Sequence, residues 1–405
     1  MIKKYYQSHI IRNFSIAIIW IDGGSNLDSN EKKGINHMLC SLLTRGCEGF
    51  ENLALSDFIE SYGAELNHEI FEDGILISLK SLDSYFNKLF PLLDSIIDKP
   101  ILSENQFQIV KKSTLNAIKK DKENSFNISF ENWRKIVYLK HPYRFNCMGY
   151  EEDILNIKHS DILNEYQGFK LRDKYLISNN LKIKENYPEN TYPKIKKEKK
   201  SFIHCDLTQE FRFISSYNKS NQLIVMLGNQ TCSSLSIDYL PLKILESYLS
   251  YGMSSILFKL FREQNGMTYD VGVFNPIRKE NAPFLVYLSV SNKNALKAFE
   301  LLSILWRELL FSLISDEEIF LAKEKLKSSF LIKNQSIEET LQREIQLISY
   351  RMSPSSYRDC YLEIEAITPK DIQKLTQKYF TKPFLSITGN KKICSDIKKK
   401  WFTDF

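Results

Sequence analysis

The sequence is poor in what most specialised architectures need. With 14 Gly and 11 Pro in 405 residues, it is neither collagen-like nor low-complexity. No stretch approaches the ~20 consecutive apolar residues of a membrane-spanning helix; Ile16 to Ile21 is typical of the longest. Nothing after Met1-Ile2-Lys3-Lys4-Tyr5 offers the apolar core and small-residue cleavage site of a signal peptide. The seven Cys (40, 47, 147, 205, 232, 360 and 394) are scattered, odd in number and free of any CxxC pair. That fits free thiols in a reducing compartment better than a disulfide framework, so a cytoplasmic location is expected. There is also no GxSxG, no Ser/His/Asp spacing and no Cys paired in sequence with a credible base, which leaves the chain without an activated nucleophile of its own.

The charge is nearly balanced, at 55 basic against 49 acidic residues for a net +6. Seven Lys and three Glu between Lys182 and Lys200 account for most of that excess. The remainder has no broad basic face for phosphates, so nucleic acid is not an expected partner. A membrane is not expected either. With 43% hydrophobic residues, 26 Phe and 21 Tyr, the chain builds a real core. At about 150 residues per domain its length suggests two or three folded units.

The Lys-rich segment contains Pro188 and Pro193 and divides the sequence near its midpoint. We expect an N-terminal domain over 1–182, a charged linker over 183–200 and a C-terminal domain over 201–405. Phe14 to Ile21 reads as a strand ending at Gly23-Gly24, and Ile35, Met38, Leu39, Leu42 and Leu43 mark a helix that stops at Gly46. The second half repeats this order with Leu223 to Leu227 and Leu240 to Gly252. Ile154 to Ile162 matches Ile364 to Ile372, and each match leads through a helix into a strand. An internal duplication explains the agreement. Longer helices are expected at Tyr85 to Ile97, Asn105 to Lys119, Asn294 to Leu313 and Glu317 to Leu331. The fold class is α+β, with helices on one face of a mainly antiparallel sheet in each half.

Two places could hold chemistry. His37, Cys40 and Ser41 stand at i, i+3 and i+4 on the first helix, one face opposite the Met38 and Leu42 stripe. Two imidazoles one turn apart grip a zinc while a carboxylate between them acts as base. Here Ser is not a usual ligand, and Cys cannot replace the carboxylate, so the three residues read as a polar helix face with one hydrogen-bonded His. In the second half, a helix ending at Asn265-Gly266 turns directly into a strand, so Arg262 and Tyr269 can converge on one point. A permanent cation beside a phenol suits a carbonyl oxygen gaining charge. An Arg capping helix carbonyls and a Tyr filling the sheet face satisfy the same pattern.

Ile18 to Ser25, Gly34 to Ser41 and Thr44-Arg45-Gly46 resemble the opening of the insulinase-like (M16, pitrilysin) peptidases. The resemblance implies an inverted zinc motif, H-x-x-E-H, of which His37 alone remains. Cys40 stands for the general-base Glu, Ser41 for the second His and Ala117 for the third ligand, so no metal is expected in this chain. Tyr62 to His68 resembles the family's edge strand, which implies substrate binding along Glu65, Leu66, Asn67 and His68, while for a catalytic role of His68 or His141 a packed or surface histidine is the favoured reading. His141-Pro142-Tyr143-Arg144, Gly149 and Asp153-Ile154 resemble the segment closing the first half. The spacing of Arg262 and Tyr269 matches the pair that active members use to hold substrate and polarise the scissile carbonyl. The expectation is the non-zinc subunit of an M16B-type heterodimer, inactive alone, with zinc in the partner subunit and a peptide as substrate. The alternative is a non-catalytic scaffold or peptide-binding protein.

Overall fold

A computed structural model describes residues 2–4, 13–51, 53–180, 209–333, 336–352 and 360–405. The charged segment expected as a linker lies outside them. Among the described residues, ten strands form two five-stranded sheets. The first holds β1 (Ile2–Lys4), β2 (Phe14–Asp22), β3 (Glu65–Ile70), β4 (Gly74–Leu82) and β5 (Lys174–Ser178), in the order β1-β5-β2-β4-β3. The second holds β6 (Phe213–Tyr217), β7 (Gln222–Gln230), β8 (Thr268–Phe274), β9 (Pro283–Ser291) and β10 (Phe384–Gly389), in the order β6-β10-β7-β9-β8. The two orders superpose strand for strand. In each sheet one pair is parallel, β1 with β5 and β6 with β10, and the rest are antiparallel.

The alternation of the strands decides where the helices go. In β2, Ala17, Ile19 and Ile21 belong to a core with Met38, Leu39, Leu42 and Leu43 of the helix Ile35–Leu43. Ile16, Ile18 and Trp20 point the other way and are equally buried. Their cover comes from the far end of the chain, because the helix Ile337–Ser349 packs on β2 and β5. Trp20 meets Tyr350 edge-on at 6.3 Å, and the Tyr350 hydroxyl donates to Asp73 Oδ2 at 2.9 Å. The second sheet does the reverse. The helix Ser125–Val137, from the first half, lies on β6, β7 and β10. There Trp133 is fully buried and its Nε1 donates to the Phe384 carbonyl at 3.3 Å.

The compact units are therefore discontinuous. One draws on Met1–Lys120, Phe145–Ile195 and Lys333–Pro354, the other on Asp121–Arg144, Lys196–Ile332 and Ser355–Phe405. A main helix layer covers one face of each sheet, and a single exchanged helix is added on the other.

Local signals place the remaining elements. The matched segments near the ends of the halves use the same cap: the Lys158 N–H donates to Asp161 Oδ2 at 2.9 Å, and the Thr368 N–H to Asp371 Oδ2 at 2.9 Å. The long helices Glu104–Asp121, Ala295–Phe311 and Asp316–Lys333 lie where expected. The helix expected over Tyr85 to Ile97 is instead two, Asp83–Leu89 and Pro91–Asp98, because Pro91 lacks an amide donor and opens the second. Among the described residues no helix is long and apolar enough to cross a membrane.

Candidate functional site

The first candidate region lies where the helix Ile35–Leu43 meets the edge strand β3. The helix starts at Gly34, whose φ of 92° is left-handed, and a Cβ there would stand 2.4 Å from the Met148 carbonyl. Buried Asp28 caps the start, accepting from the Gly34 N–H at 2.6 Å and from Asn36 Nδ2 at 2.8 Å. Burial raises the Asp28 carboxyl to about 6, against the opposing pull of these bonds and of Lys33.

From that start the helix aims Cys40 into the core. The sequence pattern put His37, Cys40 and Ser41 together on a polar face, and the structure corrects this. Cys40 is completely buried, and its thiol points to the Glu69 carbonyl of β3 at 3.8 Å. Both sides of this helix are packed, so a stripe of Met38 and Leu42 does not imply a wet opposite face. Burial and the nearby Glu69 push the Cys40 thiol far above its usual range. It is neither a thiolate ligand nor a base. Desolvation, then the neighbouring His68, lowers His37 to about 4, leaving a neutral imidazole. Ser41 is half-buried, and Ala117 stands exposed on Glu104–Asp121 with no donor atom.

These residues do not fit a zinc ion. One neutral imidazole, one buried thiol, a hydroxyl and a methyl do not make a tetrahedral N/S/O set. Among the described residues, no three His, Cys, Asp or Glu side chains gather as a metal would require.

Beside this helix, β3 is the last strand of its sheet and, among the described residues, pairs with β4 alone. Glu65, Leu66, Asn67 and His68 all line a cavity of about 460 Å³ together with Thr44 and Arg45. The Thr44 hydroxyl meets His68 Nδ1 at 2.9 Å. Partial desolvation first and the Arg45 cation second hold the His68 imidazole below its usual value. Glu65 is tied to Lys80 at 3.4 Å, and Lys80 is in turn paired with Glu338.

The second region occupies the topologically matching edge. The helix Ile256–Phe258 runs into a π-helix, Lys259–Glu263, an uncommon form often found at functional positions. Arg262 is exposed on it, with its guanidinium 4.9 Å from the Phe258 ring centroid. The turn closes with the Met267 N–H on the Phe261 carbonyl at 2.8 Å and the Gly266 N–H on the Arg262 carbonyl at 3.0 Å. Gly266 takes the left-handed conformation, at φ 57°. The chain then enters β8. Thr268 pairs with Val290 and Asp270 with Ser289, so Tyr269 is the extra residue of a β-bulge. The Asp270 N–H donates to Thr268 Oγ1 at 3.1 Å, and that hydroxyl donates to the Ser289 carbonyl, which pins the bulge. The Tyr269 side chain lies outside what is described, so the backbone alone places it, beyond the turn from Arg262.

Sequence reasoning missed Asp28 as the cap, although an Asp six residues before Gly34 was there to be read. It also missed Thr44 and Arg45 as cavity walls. The bulge and the π-turn have no local sequence signature.

Two units of the same strand order, each a five-stranded sheet under a helix layer, make a repeated two-domain scaffold. The family model described as Insulinase (Peptidase family M16) matches residues 6–149, and the one described as Peptidase M16 inactive domain matches residues 156–326. The chain belongs to the M16 family. It is 21% identical to an "Uncharacterized zinc protease" of Rickettsia felis, covering 78% of this chain and 77% of that one. It is also 21% identical to "Non-peptidase homolog YmxG" of Helicobacter pylori, covering 83% and 79%. A crystal structure of a peptidase M16 inactive domain from Pseudomonas fluorescens has the same fold, with a TM-score of 0.78, 18% identity and coverage of 96% and 95%.

Proposed function

We propose that this chain is the non-zinc subunit of a two-subunit M16 metallopeptidase. In this reading it holds a peptide with Arg262 and Tyr269, while a zinc-bearing subunit of the same family supplies the metal and the general base. One asymmetry supports it: Cys40, Ser41 and Ala117 have lost the donor chemistry of the first unit, yet Arg262 and Tyr269 both remain, flanking a tight turn at an open sheet edge. A guanidinium and a phenol donor suit the carbonyl oxygen of a strained amide. The free edge of β3, with Glu65, Leu66, Asn67 and His68, suits an extended peptide that gains main-chain hydrogen bonds as an added strand. A cytoplasmic setting agrees with the free thiols of all six described cysteines. The name of the Helicobacter relative favours a second reading, a non-catalytic scaffold or peptide-binding protein.

The test is affinity capture of the chain with its partner, followed by cleavage of a quenched fluorescent peptide by the complex. Tyr269→Phe lowers turnover by about ten- to a thousand-fold, the scale of one lost oxyanion donor, with the complex still assembled. Full turnover in that variant removes the catalytic role and leaves the scaffold.

A further inference from the structure

A second cavity of about 460 Å³ opens on the face of the second sheet that carries the helix Ser125–Val137. Its walls come from the start of that helix and from β7, β8 and β9. The formal charge among its lining residues is a single carboxylate, Asp270, next in sequence to Tyr269. Among the described residues that carboxylate has neither an ion pair nor a hydrogen bond; Asp270 is engaged through its backbone, with Thr268 and in the pairing with Ser289. Facing it are two aromatic rings, Phe126 and Tyr287, packed edge to face at 5.2 Å and 86°. Tyr287 is held in place because Gly272 has no side chain; a Cβ there would stand 2.7 Å from the Tyr287 hydroxyl oxygen.

The chemistry of these walls selects a cation. An exposed carboxylate repels anions. The helix N-terminus, which would attract them, is already capped, since Asn124 Oδ1 accepts from the Phe126 and Asn127 amides at 2.9 and 3.4 Å. Aromatic faces attract ammonium and guanidinium groups, and Asn124, Ser125 and Gln222 add neutral polar atoms around the rim. Burial and the Asp270 charge both favour the neutral Tyr287 phenol, which keeps it a hydrogen-bond donor.

We infer that this pocket receives one Lys or Arg side chain of an extended peptide, with Asp270 as counter-ion and Phe126 and Tyr287 as aromatic walls. The inference rests on the reading of this chain as a peptide holder and gives its substrate a chemical character.

Fluorescence anisotropy on the full chain alone tests it, using two labelled unstructured peptides that differ at one position, Arg in one and citrulline in the other. The wild type binds the Arg peptide about tenfold more tightly, as one desolvated cation contact allows, and the preference shrinks in high salt. Asp270→Asn abolishes the preference with unchanged circular dichroism. Tyr287→Phe retains it, because the ring remains. Free N-acetylargininamide competes only at far higher concentration, which separates a peptide subsite from a site for small amines; effective competition by it would overturn the peptide assignment. Equal binding of both peptides by the wild type, or a preference that survives in Asp270→Asn, overturns the pocket assignment and leaves the peptide-holding reading standing. Binding of neither peptide overturns both.

Discussion

The edge strands β3 and β8 hold the same position in two sheets of the same order, yet they present different chemistry. β3 runs regularly along β4 and shares a cavity with Arg45 and His68, backed by a helix whose donor positions are packed or inert. β8 is bulged at Tyr269, is entered through a π-turn bearing an exposed Arg262, and borders a cavity lined by the Asp270 carboxylate. One scaffold thus supports a smooth edge and a distorted edge. The distortion is local, held by Thr268 and Gly266, and leaves the pairing of the rest of β8 with β9 regular. The irregularity is confined to a few residues of an otherwise regular sheet, as β-bulges at sheet edges commonly are.

The comparison can be broken or sharpened by substitution. The largest expected effect falls on the exchanged helix of the second unit: Trp133→Ala costs about 3–5 kcal/mol in urea unfolding, read through hydrogen exchange of β10 amides. A loss under 1 kcal/mol would mean that the helix is not what seals that face. Next, Cys40→Glu brings a carboxylate into the core of the first unit and costs roughly 3 kcal/mol, without gaining stoichiometric zinc by atomic absorption. Tight zinc uptake would contradict the reading of that helix as metal-incompetent.

A smaller effect is specific to the first unit and depends on pH. His37 is lowered to about 4, so an unfolded chain takes up its proton from 6.5 downward while the folded chain does not. Its contribution therefore makes stability rise with pH across that window. Asp28 is raised to about 6 from 3.8, so between those values the folded chain holds the proton and the unfolded chain has lost it. Its contribution makes stability fall as pH rises. The two oppose each other in nearly the same interval. His37→Gln should expose a decline in unfolding free energy from pH 4 to 6, and Asp28→Asn a rise, each on the order of 2 kcal/mol; parallel profiles for both variants would refute the assignments. The smallest effect is structural silence at the distorted edge. Arg262→Ala should move unfolding by no more than about 0.5 kcal/mol while lowering turnover of the assembled complex, and a large stability loss would recast Arg262 as a helix cap.

How much of this was legible follows from the range over which each signal acts. The β-rich run Phe14 to Ile21, the apolar spacing on Ile35–Leu43 and the glycine-marked helix ends are local and were readable, as was the family motif with its missing members. The exchanged helices were not. An apolar stripe on Ser125–Val137 or Ile337–Ser349 announces a buried face but not which sheet covers it, and the partners lie hundreds of residues away in sequence. Cys40 was misplaced for a related reason, because periodicity identifies one buried face and is blind when the opposite face is buried as well. The bulge at Tyr269 depends on Thr268 and on the partner strand β9, and nothing in Met267-Thr268-Tyr269-Asp270 announces an extra residue. Asp270 was readable as an acidic residue beside the Tyr; that it has no counter-ion among the described residues is a three-dimensional fact.

The exchanged helices also govern what scission would do. A protease cutting after residue 180 would not liberate two self-sufficient pieces. The leading fragment would keep Ser125–Val137 with nothing to lie on and bare Ile16, Ile18 and Trp20, while the trailing fragment would strip Ile224, Met226 and Leu285 of their cover. Each piece alone would present a bare apolar sheet face or helix to water, and the two made together should reassemble around the swapped helices.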